Sequence, residues 1–471
     1  MADLTIFQLT QILPAAVDQT NDLLPLWDDS ATETKKITVA DFKTLVAGAV
    51  NWSESFSSAT QATSQWTPNN AAANVNAAIS PKGTGALVAQ IPTGTIVGGN
   101  ARGQSAVDWQ MSRSNANQVA SGNYATIGGG ANNRVTGASS TVFGGSGNVA
   151  SGDGSVAGGA SCSATNTNSV AIGAASYAIG PYSVCFGYQN SSNSWYSVVG
   201  GGLINTANAG TDGTAVLSGG FNSAGGSWSC VAGGSANASG TFCFVGAGQS
   251  NTAGGSHSVC AGGQSNTANA SWATIGGGNG NQATGNYSVS VGGFQNLATA
   301  QYATVKGGAL AEARLYGQQA FAAGRFSANG DAQAHELIWR REITGTSQTE
   351  LFLDGASVRA ILPGTNSIWQ GIIDISAICT NAGGGTTVVG DVAATSYKVT
   401  IKRIGTNTVL VGTVQEIGTT NSDISMGTSV FTIDNDNTNE SLRLQFTPPT
   451  TANATTVIRV LATFRGTQLQ Y

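Results

Sequence analysis

The stretch NSVAIGAASYAIGPYSVCFG, residues 168–187, says one thing twice: Ser169-Val170-Ala171-Ile172-Gly173 returns 14 residues later as Ser183-Val184-Cys185-Phe186-Gly187. The same phrase, a small residue, Val or Thr, two more residues and Gly, recurs with small departures from Ala125 to Ala320 in 14 units spaced 14 to 18 residues apart. A unit of that length is too short for two helices and a turn. It suits two short strands and two tight turns, with Gly and Asn supplying positive φ. One unit buries nothing alone, whereas stacked units share a continuous core. Val170 and Ile172 fall on one face of their strand, Ser169 and Ala171 on the other. Neither face is charged, so both are expected to be buried: one inside the coil, one against an identical chain. At strand spacing the coils make a rod of roughly 65–70 Å.

Composition agrees with a β-rich repeat. Charged residues are 9% of 471, about a third of globular usage. Disorder is excluded by a hydrophobic content of 41%, and a collagen triple helix by only 9 prolines and no three-residue glycine period. A net charge of −5 without a basic patch speaks against a nucleic-acid partner. The opening MADLTIFQLTQ is read as no signal peptide, and no apolar run is long enough for a membrane helix. Cys162, Cys185, Cys230, Cys243, Cys260 and Cys379 show no C-x-x-C spacing and read as small, reduced packing residues.

On the phrase NSVAIGAASYAIG, residues 124–330 resemble the head repeats of trimeric autotransporter adhesins. That resemblance implies a homotrimer of parallel left-handed β-rolls. The heptad stalk and membrane anchor of that family are not seen. Residues 22–42, DLLPLWDDSATETKKITVADF, resemble the start of tailed-phage fibre proteins. Physically, Leu23 to Trp27 reads as a strand, residues 28–33 as a turn, and Lys36 to Val39 as a returning strand before a short helix. Residues 79–110 also look like phage fibre sequence. After Gly330 come alternating runs, among them ELIWRREIT, TELFLDG, IWQGIIDISAI, SYKVTIKRI, TVLVGTVQEI, SLRLQFT and TVIRVLATF. They predict an antiparallel β-sandwich of about 140 residues. ELFLDG resembles a C-terminal module of phage fibres.

Candidate chemistry is sparse. Polysaccharide hydrolysis needs two carboxyls roughly 5 to 9.5 Å apart. The repeat region holds only Asp153, Asp212 and Glu312, which lie 59 and 100 residues apart. Glu336, Glu342, Asp354, Asp374 and Asp391 follow in the C-terminal region without a catalytic motif. No enzyme activity, catalytic residue, cofactor or metal is therefore expected. Of the two histidines, His257 belongs to a column and His335 stands near the rod–tip junction, where threefold copies would meet over a metal if they met at all; a packed or solvated state is preferred. Residues 434–440, DNDNTNE, space oxygens like a calcium loop but lack the Gly and Glu of an EF-hand, and read as a polar hairpin turn. The residue before the repeat phrase is aromatic or His in nine units: Tyr124, Tyr182, Tyr196, Trp228, Phe242, His257, Trp272, Tyr287 and Tyr302. Such a column is expected to serve packing before it serves a glycan track.

The reading is an all-β, elongated homotrimeric fibre: residues 1–50 for tail or baseplate attachment, 51–123 as shaft or linker, 124–330 as β-roll rod, and 331–471 as receptor-binding tip. The expected function is that of a bacteriophage tail fibre, a virion protein made and assembled in the host cytoplasm, for host recognition and adhesion. Its partners would be a tail protein at the N-terminus and a host surface glycan or outer-membrane protein at the tip. The loops at residues 381–395 and 418–429 are long enough to vary. A trimeric bacterial adhesin, a depolymerase tailspike and a capsid head fibre are the alternatives.

Overall fold

The computed structural model describes residues 81–471 except 209–211 and 236, and, ahead of them, the backbone of four short strands. It divides into two units, residues 1–81 and 82–471. In the first, Leu23–Leu26 pairs antiparallel with Lys35–Thr38, Leu23 opposite Thr38, and Trp52–Phe56 pairs with Ser64–Pro68. The hairpin read from LLPLWDDSATETKKIT is thus present. The short helix expected after it lies outside the described residues.

The second unit starts as a parallel β-solenoid. Each of the 14 repeat units places one strand in a first ladder, from Thr126–Ile127 to Gln319–Ala323. The ladder also takes in Leu87–Val88 and Val107–Asp108 ahead of them. A second ladder of 13 strands runs from Arg134–Val135 to Glu312–Ala313. The repeated phrase pairs with itself: Val170 faces Val184, Ala171 faces Cys185, and Ile172 faces Phe186. Ala171, Cys185, Val199, Val216 and Val231 point inward and are wholly buried, as are Ala178, Ala207 and Ala224 from the second ladder. Side chains this small leave room for little else, so the coil is thin. The cysteines are free, as the sequence predicts, and burial pushes the Cys185 and Cys260 thiols up to about 11.

The core is not purely apolar. One turn per coil carries a buried asparagine, three residues after a glycine: Asn205 after Gly202, Asn222 after Gly219, Asn266 after Gly263. Asn205 donates from Nδ2 to the carbonyls of Gly201 and Gly219, both at 2.9 Å, and its own N–H reaches Asn190 Oδ1 at 2.7 Å. The pattern repeats through Asn237, Asn251, Asn281 and Asn296. Each amide therefore ties its own coil and the next, and its buried polar atoms are satisfied, which is the condition for keeping an amide in a core. Gln110 begins the series by accepting the N–H of Asn133 at 2.8 Å. Cys162 and Ser176 interrupt it. Ser176 keeps one bond of the pattern, its Oγ donating to the Gly187 carbonyl of the next coil at 2.9 Å.

The solenoid ends are closed differently. Near the start, Arg102, Asp108 and Arg113 form a fully buried charge cluster, with Arg102 Nε 2.8 Å from Asp108 Oδ2. At the far end, Ala332–Thr344 runs antiparallel to the last coil strand, His335 opposite Ala320. That strand starts the C-terminal domain. It pairs with Val457–Gln470, which pairs with Asn366–Asn381, which pairs with Val392–Ile404. A second sheet centres on Ser441–Thr447, flanked by Val430–Asp436 on one side and by Thr349–Leu351 and Ala360–Ile361 on the other. Trp339, Trp369, Phe464, Leu444 and Phe446 fill the space between the sheets. The predicted all-β class, the repeat solenoid and the antiparallel C-terminal sheets are all found. Val430–Asp436 was not among the predicted strands.

Candidate ligand-binding surfaces

The aromatic column is real and lies on the outside of the rod. Tyr124, Tyr182, Trp228, Trp272 and Tyr302 are all about half exposed. Every one of the nine residues has φ between 54° and 62°, the left-handed region that bulky side chains avoid. The turn geometry demands it, and stacking offsets it. Phe242, His257, Trp272, Tyr287 and Tyr302 form one continuous pile, with centroid spacings of 4.8, 4.1, 6.2 and 5.1 Å and interplanar angles of 15° or less. Tyr316 closes it edge-on. Ring faces inside this pile are covered by neighbouring rings, so only edges meet solvent. A sugar needs a free face to stack on, and the pile denies it one.

Beside the column, the outward side of the first ladder is an apolar strip. Val156, Val170, Val184 and Val198 are half-buried there, and Phe143, Phe186, Leu217 and Val291 stand more exposed.

The carboxylates of the rod do not meet. Asp153 and Asp212 sit in turns before the strands at Val156 and Ala215, four ladder steps or about 19 Å apart. Glu312 lies at the other end, half-buried and ion-paired with Arg314, and burial raises its pKa. It borders an open polar groove of about 720 Å³ with Gln282, Gln295 and Asn329.

His335 is inside the rod–tip junction, ringed by Trp369 and Phe464 at 4.8 and 5.1 Å, with Nδ1 bonded to Gln318 Nε2 at 3.2 Å. Desolvation, with Arg314 adding to it, lowers its pKa to about 3. It stays neutral and buried within its own chain. Of residues 434–440, expected as a hairpin turn, 434–436 end the strand Val430–Asp436 and only 437–440 form the turn. Asp434 takes both Arg443 Nε and Nη2, at 2.7 and 2.6 Å, and Asp436 accepts the N–H groups of Thr438 and Asn439. Among the described residues no three His, Cys, Asp or Glu side chains are grouped to hold a metal ion.

The two loops singled out in the tip come together. Ser425 Oγ donates to Asp391 Oδ2 at 2.6 Å, and Asp423 Oδ2 accepts the Val392 N–H at 2.9 Å. Val388, Val389 and Ile424 project from them into solvent. Strand register puts this cluster at the end of the sheet far from the rod. The junction row is His335–Gly466–Gly371, while the loops leave the sheet at Asn381 and Val392.

No family model matches the chain. No curated protein matches it either. Among solved structures, the chain is similar to the tailspike protein of Acinetobacter phage vB_ApiP_P1, at 9% identity, covering 82% of this chain and 81% of that one, with a TM-score of 0.25. It is also similar to the tailspike protein of Acinetobacter baumannii phage AM24, at 11% identity, 82% and 77% coverage and a TM-score of 0.19. A third is the tailspike protein gp49 from Acinetobacter baumannii bacteriophage Fri1, described as a capsular polysaccharide depolymerase, at 8% identity, 82% coverage of both chains and a TM-score of 0.18. The expectation that the chain is not an enzyme is corrected by this last finding: a depolymerase stands among the structures it is similar to, and the non-catalytic reading is dropped.

Proposed function

We propose that the chain is a bacteriophage tail protein of the fibre or spike type that binds the host cell surface, as a homotrimer attached to the tail through its N-terminal segment. The observation that carries the reading is the join between solenoid and tip. A thin, charge-poor rod hands its last strand directly to an antiparallel domain whose paired loops lie at the opposite end. This is the form of a spacer presenting a binding end at a distance. The hairpin at Leu23–Leu26 and Lys35–Thr38 supports tail attachment through its likeness to phage fibre starts.

The apolar strip of Val170, Val184, Phe186 and Leu217 supports the trimer. Three copies turning these strips toward one axis would bury them, in the arrangement known from trimeric adhesin heads. The rings of the aromatic column would then lie at or near the seams.

Light scattering on the purified chain tests assembly, and binding to a panel of bacterial cells tests function. A mass near three chains, reduced by Phe186→Asp, together with binding to a restricted set of strains, is the expected result. A monomer would remove the trimer. Absence of binding to any surface would remove the tail-protein reading.

A further inference from the structure

The outer face of the C-terminal sheet carries an open groove of about 670 Å³ in its far half, near the paired loops. Two register rows build its floor. Glu342, Arg459, Ile378 and Val392 lie side by side across four strands, and Arg340, Leu461, Ser376 and Ala394 form the next row inward. Ile378, Val392 and Leu461 are 41–50% exposed, so the floor offers apolar surface that no other part of the described chain covers.

The charges on this face are unequally matched. Glu342 pairs with Arg459 at 2.8 Å, and Asp374, further toward the junction, lies 3.9 Å from Arg465. Asp354, on the groove's rim, turns its carboxylate back into its own turn, accepting the N–H groups of Ala356, Ser357 and Val358 at 2.8–2.9 Å. Those bonds hold its pKa down at about 2. Arg340 stands between these acids. Its Nη2 reaches only the Asp354 carbonyl at 3.2 Å, and among the described residues no carboxylate lies within ion-pair distance of it. Arg341 beside it likewise bonds a carbonyl, that of Ala356, and lies over the Phe352 ring. A planar fork of donors next to exposed aliphatic side chains suits a ligand with a carboxylate on one edge and a C–H face on the other. An acidic sugar ring has both, and a groove of this volume is within the usual range of small-ligand sites.

We propose that this groove binds a carboxylate-bearing saccharide of the host surface, with Arg340 and Arg459 engaging the carboxylate and Leu461 and Ile378 lying under the ring. The inference rests on the surface-binding reading above and adds the ligand class and its location.

The test uses the full chain and a printed array of saccharides bearing uronic or sialic acids, neutral saccharides and phosphorylated saccharides. Arg340→Gln, Arg459→Gln and the wild type are run side by side, each checked for unchanged melting temperature and mass. Binding enriched in carboxylated saccharides, and reduced at least tenfold in both variants, is the expected outcome. Preference for phosphorylated or neutral saccharides would overturn the proposal, as would carboxylate binding that both variants retain. A drop in mass in either variant would assign the groove to a contact between copies instead, and also overturns it. Cell binding by the wild type with no change in the variants would sink the groove alone, whereas no binding to cells or array would sink the surface-binding reading with it.

Discussion

Asn266 Oδ1 accepts the backbone N–H of Asn281, one coil further on, at 2.9 Å, while Asn266 Nδ2 donates to Gly262 and Gly278 carbonyls at 2.9 and 2.8 Å. A single side chain thus serves three backbone groups, the Asn281 N–H buried and the two glycine carbonyls partly so. Asn266→Ala removes all three bonds and orphans the buried Asn281 N–H, at a cost of about 2–4 kcal/mol, since an orphaned buried polar group costs more than an average bond contributes. Asn279→Ala, which removes only an exposed amide contact to Gln264, is expected to stay within about 0.5 kcal/mol of the wild type. Comparative thermal or urea unfolding checks the pair, and equal effects would contradict the ladder's role.

Neighbouring glycines make a sharper contrast. Gly202 has φ 91°, and a Cβ there would lie 2.0 Å from the Gly219 carbonyl oxygen of the next coil. Gly201 has open space around the same position. Gly202→Ala should destabilise by roughly 3 kcal/mol or more through backbone displacement, and Gly201→Ala by little. Melting temperatures of the two variants decide it.

Trp272 sits at φ 62° and stacks on His257 and Tyr287. If the pile of rings compensates the left-handed turn, Trp272→Ala loses about 1–3 kcal/mol of stacking and keeps the strain. Trp272→Gly loses the stacking but relieves about 1 kcal/mol of strain. Glycine should therefore be the more stable replacement, the reverse of their order in an ordinary strand. Equilibrium unfolding of both variants is the measurement.

His335 gives the acid response a signature. Its folded pKa, about 3, lies below the ordinary value of 6.5, so the unfolded chain binds the extra proton first. Stability is then undiminished above about 6.5 and falls as pH drops toward 3, by roughly 4–5 kcal/mol at full effect. Asp331, Asp354 and Asp436 also have lowered pKa values, but their contribution is lost only below the ordinary carboxylate range. Glu312, whose pKa is raised, acts with the opposite sign in the same interval, so a loss of stability between about pH 6.5 and 4 belongs to His335, and His335→Phe should abolish it. Unfolding midpoints across that interval provide the check.

Much of this architecture was legible because its period was. Ser183-Val184-Cys185-Phe186 alternates as a strand with one small inward side, and that alternation reports which face the coil closes on. The asparagine ladder was missed for a definite reason. Asn190, Asn205 and Asn222 lie in the polar half of each unit, where amides ordinarily mark exposed turns, and only their constant offset from the preceding glycine distinguishes them from solvent-facing neighbours. In the tip, strand runs such as ELIWRREIT announced themselves. Val430–Asp436 did not, because its end shares the Asp/Asn composition of the turn it enters. The groove at Arg340 left no sequence mark at all. Arg340, Arg459, Ile378 and Val392 come from four strands, and only the pairing register makes them neighbours.

The same coil-by-coil construction has a mechanical consequence. Among the described residues, each coil is held to the next by its own set of bonds and to no coil beyond. Tension along the axis therefore loads these joints in series, and the weakest joint fixes the force at which the chain begins to peel. Adding coils extends reach without adding tensile strength, so the length of the rod and the force it withstands are free to change independently.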